Sequence, residues 1–239
     1  MSKAIESQVG DWYTLLEPIV SSDKFKPIAS EIKRCKQTFT KIYPETTKTF
    51  RAFKLCQLAD TRVVILGQDP YHDGRATGLC FANNIGLGKP SPSLQWIVKA
   101  LEYEYDTICV DFDYDLETWA SQGVLLLNTA LTVVKGYAGS HTELWRPFTE
   151  ELITNLSLTK NNIIFVLWGR KAQEYSKFIH GNNKIITAPH PAADAYTGGK
   201  AGFHTSGSFS AVNKFLSEPI KWNTYCGEPL PRQINEAPF

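Results

Sequence analysis

The 239-residue sequence predicts an α/β fold: one domain built on a central four-stranded, twisted parallel sheet flanked by helices. Three observations carry that expectation. From Thr61 onward, short apolar runs alternate with stretches of helical spacing, the pattern of strands joined by helical crossovers. The runs are continuous rather than alternating, as strands covered on both faces require. The length and the 43% hydrophobic, 21% charged composition suit one large core better than two small ones.

The elements follow in order. The first sixty residues read as helical, with spacing of 3.6-residue type in Trp12, Leu15, Leu16, Ile19, then Ile28, Ile32, Cys35, then Phe50, Phe53, Leu58. Four strands are predicted at Val63–Leu66, Val124–Leu127, Ile163–Leu167 and Lys184–Thr187. Helices are expected between and after them, at about 92–104, 145–158, 170–180 and near 207–217. After Trp222, Pro229, Pro231 and Pro238 mark about 223–239 as an irregular extension of the single domain spanning 1–239. No repeat, low-complexity tract or Gly/Ser-rich linker divides the chain.

Composition excludes several classes. Disorder and collagen-like repeats do not fit an ordinary globular balance. No apolar run approaches the roughly 18 residues of a membrane span. Met1–Ser7 lacks the apolar stretch of a secretion signal, so a cytoplasmic, non-secreted chain is expected. Five scattered cysteines (Cys35, Cys56, Cys80, Cys109, Cys226) with no Cys-x-x-Cys predict no disulfide framework, zinc site or iron–sulfur cluster. The formal charge is +1, but seven acids and no Lys or Arg lie between Leu101 and Thr118. They read as a solvated face, and without them the rest of the chain stands at +8, so a basic surface elsewhere remains open.

In open α/β sheets ligands bind beyond the carboxyl ends of the strands. There the four runs are followed by Gly67-Gln68-Asp69-Pro70-Tyr71-His72, Asn128-Thr129, Trp168-Gly169-Arg170 and Ala188-Pro189-His190-Pro191. One edge thus receives an Asp, an Asn, an Arg and a His. Asp69 is either an Asx-turn or N-cap, or a carboxylate that orients water or supports a developing cation. No Gly-x-Ser-x-Gly elbow or activated Cys accompanies His190, which disfavours a nucleophilic triad. The five histidines show no metal-binding spacing, and Gly67, Gly74 and Gly78 spell no phosphate-binding motif, so no metal or nucleotide cofactor is expected. Phe81 and Tyr71 offer flat faces beside the Asn128 amide, which can donate and accept at once to a planar heterocycle. Trp96 and Trp168 read as core. Pro90-Ser91-Pro92-Ser93 is either a phosphate contact or a plain helix start.

These residues, in this order, closely resemble family 1 uracil-DNA glycosylases. The resemblance runs through Val63–His72, Gly78–Phe81, the 90–93 loop, Leu125–Val133, Ser140-His141, Leu167–Gly169 with Ala172-Gln173, and His190-Pro191, covering roughly 12–222. It implies an enzyme that flips a deoxyuridine out of DNA and hydrolyses its N-glycosidic bond. By that resemblance Asp69 and His190 are catalytic: Asp69 positions the water, and neutral His190 donates to uracil O2 as charge builds. Asn128 reads uracil O4 and N3–H, Phe81 stacks on the base, Tyr71 blocks the thymine methyl, and the backbone at Gln68 contacts uracil. Pro92, Ser93, Gly169 and Arg170 would touch the DNA backbone. The implied partners are uracil-containing single- or double-stranded DNA and a proteinaceous uracil-glycosylase inhibitor. A monomer with no metal or cofactor is implied, found wherever the host's DNA lies.

Two departures stand out. The family's minor-groove loop reads His-Pro-Ser-Pro-Leu, its Leu entering the space the base vacates. Here the sequence is His190-Pro191-Ala192-Ala193-Asp194-Ala195-Tyr196, and about three extra residues precede Phe203-His204. An acid at Asp194 is expected to be repelled by phosphates, and Tyr196, with Phe203 behind it, is the candidate wedge, the alternative for either being a core position. Weaker flipping from duplex, or a preference for single strands, is therefore expected. Arg170 stands where the family commonly has Ser, offering phosphate a bidentate cation. Two other readings remain: a non-catalytic DNA-binding protein, against which Asp69, Asn128 and His190 speak, and a glycosylase for another base, against which Tyr71 and Asn128 speak.

Overall fold

The computed structural model describes residues 2–84, 86, 88–109 and 111–223. In chain order the elements are α1 (Ser2–Val9), α2 (Tyr13–Val20), α3 (Lys26–Gln37), β1 (Ile42–Tyr43), α4 (Arg51–Leu55), β2 (Val63–Gly67), α5 (Pro92–Tyr105) and α6 (Glu117–Ala120). They continue with β3 (Val124–Asn128), β4 (Val133–Val134), α7 (Thr142–Thr159), β5 (Ile164–Trp168), α8 (Arg170–Gln173), β6 (Lys184–Ala188), α9 (Pro191–Thr197) and α10 (Ser208–Asn213). Beyond residue 223 the extension expected at about 223–239 lies outside the described residues.

β2, β3, β5 and β6 form the predicted four-stranded sheet, all parallel, in the order β3-β2-β5-β6. Every residue of β2, β3 and β5 is buried, as their unbroken apolar runs require. β6 departs from that pattern: Lys184, Ile185 and Thr187 are exposed at this edge, whereas the other edge strand, β3, is packed by α4 and α6. From β2 the chain moves to one side for β3 and then to the other for β5. This reversal opens a crevice at the carboxyl end of β2.

The core is one cluster running from Ile5 to Trp222. Its aromatic part is a chain of edge-to-face contacts. Trp222 meets Trp119 at 4.9 Å and Phe209 at 5.2 Å between ring centroids, and Phe209 meets Trp168 at 5.5 Å. Each such pair adds about 0.5–1.5 kcal/mol beyond area burial. Trp168 is core, as expected, whereas Trp96 is only partly buried and packs against His204.

Several expectations are corrected. The first sixty residues include β1, which pairs antiparallel with β4 as Ile42↔Val134 and Tyr43↔Val133. Two residues are too few for a period, and the partner lies far along the chain. The acidic segment is not simply a solvated face. Glu104 accepts from Ser210 N–H (2.8 Å) and Oγ–H (2.7 Å) at the start of α10, and Asp113 accepts from Thr118 N–H and Oγ–H at α6. Asp115 and Glu117 pair with the half-buried Arg51. Most of these acids therefore cap or brace elements. Of the cysteines, Cys35, Cys56 and Cys80 are free and buried, and Cys109 is disulfide-bonded.

Candidate active site

The register of β2 against β3 sets the site. Gly67 stands opposite Asn128, and a Cβ on Gly67 would lie 2.4 Å from Asn128 Oδ1. Only glycine lets the amide sit this close to the strand end. Asn128 is 7% exposed, and its amide has no hydrogen-bond partner among the described residues. With no protein partner, the amide is open to a group that enters at the strand end. The Gln68 carbonyl ties the two strand ends together, accepting from Ala130 N–H (2.9 Å) and Thr129 Oγ–H (2.8 Å). The Gln68 side chain is exposed.

Asp69 follows, half-buried, with Oδ2 accepting from Gly139 N–H at 2.6 Å. Its other oxygen has no hydrogen-bond partner among the described residues. Burial raises the Asp69 carboxyl above the usual range, while the Gly139 bond and nearby His72 pull the other way. Tyr71 is fixed through a 2.7 Å hydrogen bond between its hydroxyl and Ser91 Oγ. Ser91 also caps α5, accepting from Leu94 N–H at 3.3 Å. The 90–93 loop thus is a helix start that also holds a site residue. Pro92 is exposed, whereas Ser93 is 8% exposed and faces the Tyr71 hydroxyl.

His190 is the N-cap of α9, and its Nδ1 accepts from Ala192 N–H at 3.1 Å. A backbone N–H can only donate, so Nδ1 carries no proton and the imidazole donates through Nε2. Burial lowers the His190 pKa, which keeps the ring neutral. Gly169 packs against this ring: a Cβ there would lie 2.7 Å from His190 Cβ. Phe81, at φ +63° and 7% exposed, sits 5.7 Å from His190 and 5.4 Å from Trp168 between centroids. A buried phenylalanine held in the left-handed region is strain, of the kind that concentrates at functional sites. An open pocket is lined by Gln68, Gly169, Arg170, Lys171 and His190. Arg170 is exposed and makes no ion pair among the described residues, while neighbouring Lys171 pairs with Glu174 at 3.2 Å.

The structure thus gathers Gln68, Asp69, Asn128, Gly169, Arg170 and His190 at one sheet edge, joined by Phe81 through His190 and Tyr71 through Ser91. Tyr196 lies on α9, six residues after His190, and is 89% exposed. Phe203 is not behind it as a second wedge but fully buried against Trp168 at 5.1 Å. Asp194 corrects the expectation of phosphate repulsion. It is 0% exposed and accepts from Gly202 N–H (2.8 Å), His204 N–H (2.8 Å) and His204 Nδ1 (2.9 Å). It points inward and anchors the inserted residues. Gly139 and Ala192 are positioning residues that the sequence expectations do not contain, and Ser91, expected within a phosphate contact or helix start, is a helix cap that also holds Tyr71. For Gly139, adjacency to Ser140-His141 was the available signal.

Among the described residues one side-chain group is spaced to hold a metal ion: Glu31, Cys35 and His141. None of the three follows a sheet strand. Local Cys and His spacing predicts no metal site, and a group drawn from distant segments is invisible to such spacing.

Comparison with known proteins agrees with this geometry. The family model described as "Uracil DNA glycosylase superfamily" matches residues 53–217. "Uracil-DNA glycosylase" of Aeromonas salmonicida (strain A449) is 38% identical over 223 residues, covering 90% of this chain and 99% of that protein. The protein of the same name from Neisseria gonorrhoeae (strain NCCP11945) is 39% identical over 219 residues, covering 88% and 98%. Among solved structures, mimivirus uracil-DNA glycosylase shares the fold, with TM-score 0.82, 24% identity and coverage of 89% and 86%. A variant of mimivirus UNG in complex with UGI matches with TM-score 0.82, 24% identity and coverage of 89% and 88%. With the family model spanning most of the chain and relatives this similar over nearly all of it, the chain belongs to the uracil-DNA glycosylase superfamily, enzymes that hydrolyse N-glycosyl bonds.

Proposed function

We propose that this protein flips deoxyuridine out of DNA and hydrolyses its N-glycosidic bond, releasing uracil and leaving an abasic site with the strand uncut. The observation that carries the reading is the pairing of an Asn128 amide with no hydrogen-bond partner among the described residues with a His190 ring whose only available donor is Nε2–H. The amide accepts from uracil N3–H and donates to O4. Cytosine inverts both groups, and each buried mismatch costs about 1–3 kcal/mol. Phe81 stacks on the base. Tyr71, held by Ser91, occupies the space a 5-methyl would need and so rejects thymine.

As the glycosidic bond lengthens, its electron pair moves into the uracil ring and charge grows on O2, where His190 Nε2–H donates. A donor aimed at charge that develops only in the transition state lowers the barrier. Asp69, held at Oδ2 by Gly139, uses its other oxygen to orient a water toward C1′ and to support the cationic sugar. Water oxygen bonds to C1′, its proton leaves through Asp69, and uracil departs as an anion stabilised by His190. No metal or cofactor enters these steps.

The exposed Arg170, with Gly169 and the α5 start at Pro92 and Ser93, contacts the phosphates, and Tyr196 enters the stack where the base leaves. A proteinaceous inhibitor of the kind seen with mimivirus UNG would compete for this same face. The test is uracil release from a uracil-containing oligonucleotide. Asp69→Asn keeps the shape but removes the charge, and it should lower the rate by about 10²–10⁴-fold. Absence of release by the unmodified protein would leave only a DNA-binding role.

A further inference from the structure

Away from the strand ends, three side chains of different chemistry converge. Glu31 and Cys35 lie one turn apart on α3, and His141 stands at the N-cap position of α7 without a side-chain capping bond. Cys35 Sγ is 3.3 Å from Glu31 Oε1, and His141 Nε2 is 3.6 Å from the same oxygen. All three ligand atoms fall within 4.8 Å of one another. His141 is 4% exposed, and its Nε2 is a buried polar atom with no hydrogen-bond partner. The ring is held in that direction from behind, because Nδ1 is hydrogen-bonded to Thr132 Oγ1 (2.8 Å), which itself accepts from Trp145 Nε1–H (2.8 Å). Such backing of the distal nitrogen is the usual support of a ligating imidazole.

We propose that Glu31, Cys35 and His141 form a binding site for one divalent transition-metal ion of the zinc class. Tetrahedral zinc, with Zn–S near 2.3 Å and Zn–N or Zn–O near 2.0–2.1 Å, sets ligand atoms about 3.3–3.6 Å apart; both distances to Glu31 Oε1 match this, and the Sγ–Nε2 pair lies within 4.8 Å. The donor set fits as well, since thiolate and imidazole select zinc or cobalt over magnesium or calcium. An open pocket lined by Glu31, Arg34, Ser140 and His141 reaches two of the three ligands, while Cys35 is fully buried and does not line it. Arg34 now clamps Glu31, with Nε to Oε2 at 2.8 Å and Nη2 to Oε1 at 2.7 Å. For the metal to take Oε1, Arg34 Nη2, which also reaches Cys35 Sγ at 3.9 Å, must withdraw while Nε stays on Oε2. The Cys35 thiol gives up its proton to solvent as the metal–sulfur bond forms, one proton per ion. The site would pin α3 to the segment whose Gly139 N–H holds Asp69.

Titration of the full-length protein, freed of metal, with Co²⁺ tests this through the thiolate-to-cobalt absorption band, followed by displacement with Zn²⁺. The expected result is one equivalent of Co²⁺ with a thiolate band in the unmodified protein. Cys35→Ser should lose the band, and both Cys35→Ser and His141→Gln should bind about 10–100-fold more weakly. Because Cys35 and His141 are buried, Glu31→Gln on the half-exposed position keeps the test decisive should those variants not fold. It should weaken binding and reduce the rise in melting temperature that Zn²⁺ gives the unmodified protein. No thiolate band in the unmodified protein, or equal affinity in Glu31→Gln, would overturn the assignment.

Discussion

Gly169 has no side chain to do chemistry, yet the position of the proposed proton donor depends on it. Its φ is +86°, and a Cβ would sit 2.7 Å from His190 Cβ. Gly169→Ala is therefore doubly disfavoured, by backbone conformation and by collision with a ring that is boxed in by Phe81 on another side. The helix cap, Nδ1 accepting from Ala192 N–H, is the contact most easily lost when the ring shifts. Misplacing a catalytic group by about 1 Å costs on the order of 10²-fold in rate. The expected outcome for Gly169→Ala is a kcat lower by about that factor with KM little changed. In ¹⁵N-edited spectra His190 should no longer be the single Nε2–H tautomer. Unchanged kcat with an unchanged tautomer would show that the ring is held by something else.

At the scale of elements, legibility in the sequence tracked how local the determining physics is. The three buried strands were found to within a residue, because Val63–Leu66, Val124–Leu127 and Ile163–Leu167 are apolar at every position. The residues that follow them were legible for the same reason: the fold puts strand ends at one edge. What was not legible depended on contacts between distant segments, such as the β1–β4 pair and the inward turn of Asp194. The stretch after His190, read as a loop, is the helix α9. Pro191 at its first turn, three alanines and a left-handed Gly198 at its end account for that. α9 packs on α5, and Asp194 ties it to the 202–204 turn, so Tyr196 is presented on a braced helix. Removing Tyr196 should therefore act on base flipping while leaving chemistry intact. Tyr196→Ala is expected to lower kcat/KM on U·A duplex about tenfold or more, ~1.4 kcal/mol of the few that unstacking a step costs, with little change on single strands. Comparable activity on both substrates, unaffected by the substitution, would contradict both the weakened flipping and the role of Tyr196.

For the whole molecule, the near-neutral charge sets how DNA is held. The +1 total includes seven acids between Leu101 and Thr118, most of them bound to backbone N–H groups or to Arg51. They are fixed by the fold, and no similar concentration of acids lies on the loops that carry Asp69, Asn128 and His190. The attraction to phosphate there is local and rests on few cations, of which Arg170 is exposed and without an ion pair among the described residues. Each phosphate neutralised on duplex DNA contributes about 0.9 to the negative slope of log affinity against log salt. Measured on the slowed Asp69→Asn background, where substrate persists longer, Arg170→Ala should weaken duplex binding and reduce that slope by about 0.9. Lys171→Ala, which removes a lysine paired with Glu174, should change the slope less. An unchanged slope in Arg170→Ala would make Arg170 an ordinary surface residue. Attraction to undamaged DNA would then fall to the helix start at α5, leaving the small pocket around Asn128 to supply almost all of the selectivity.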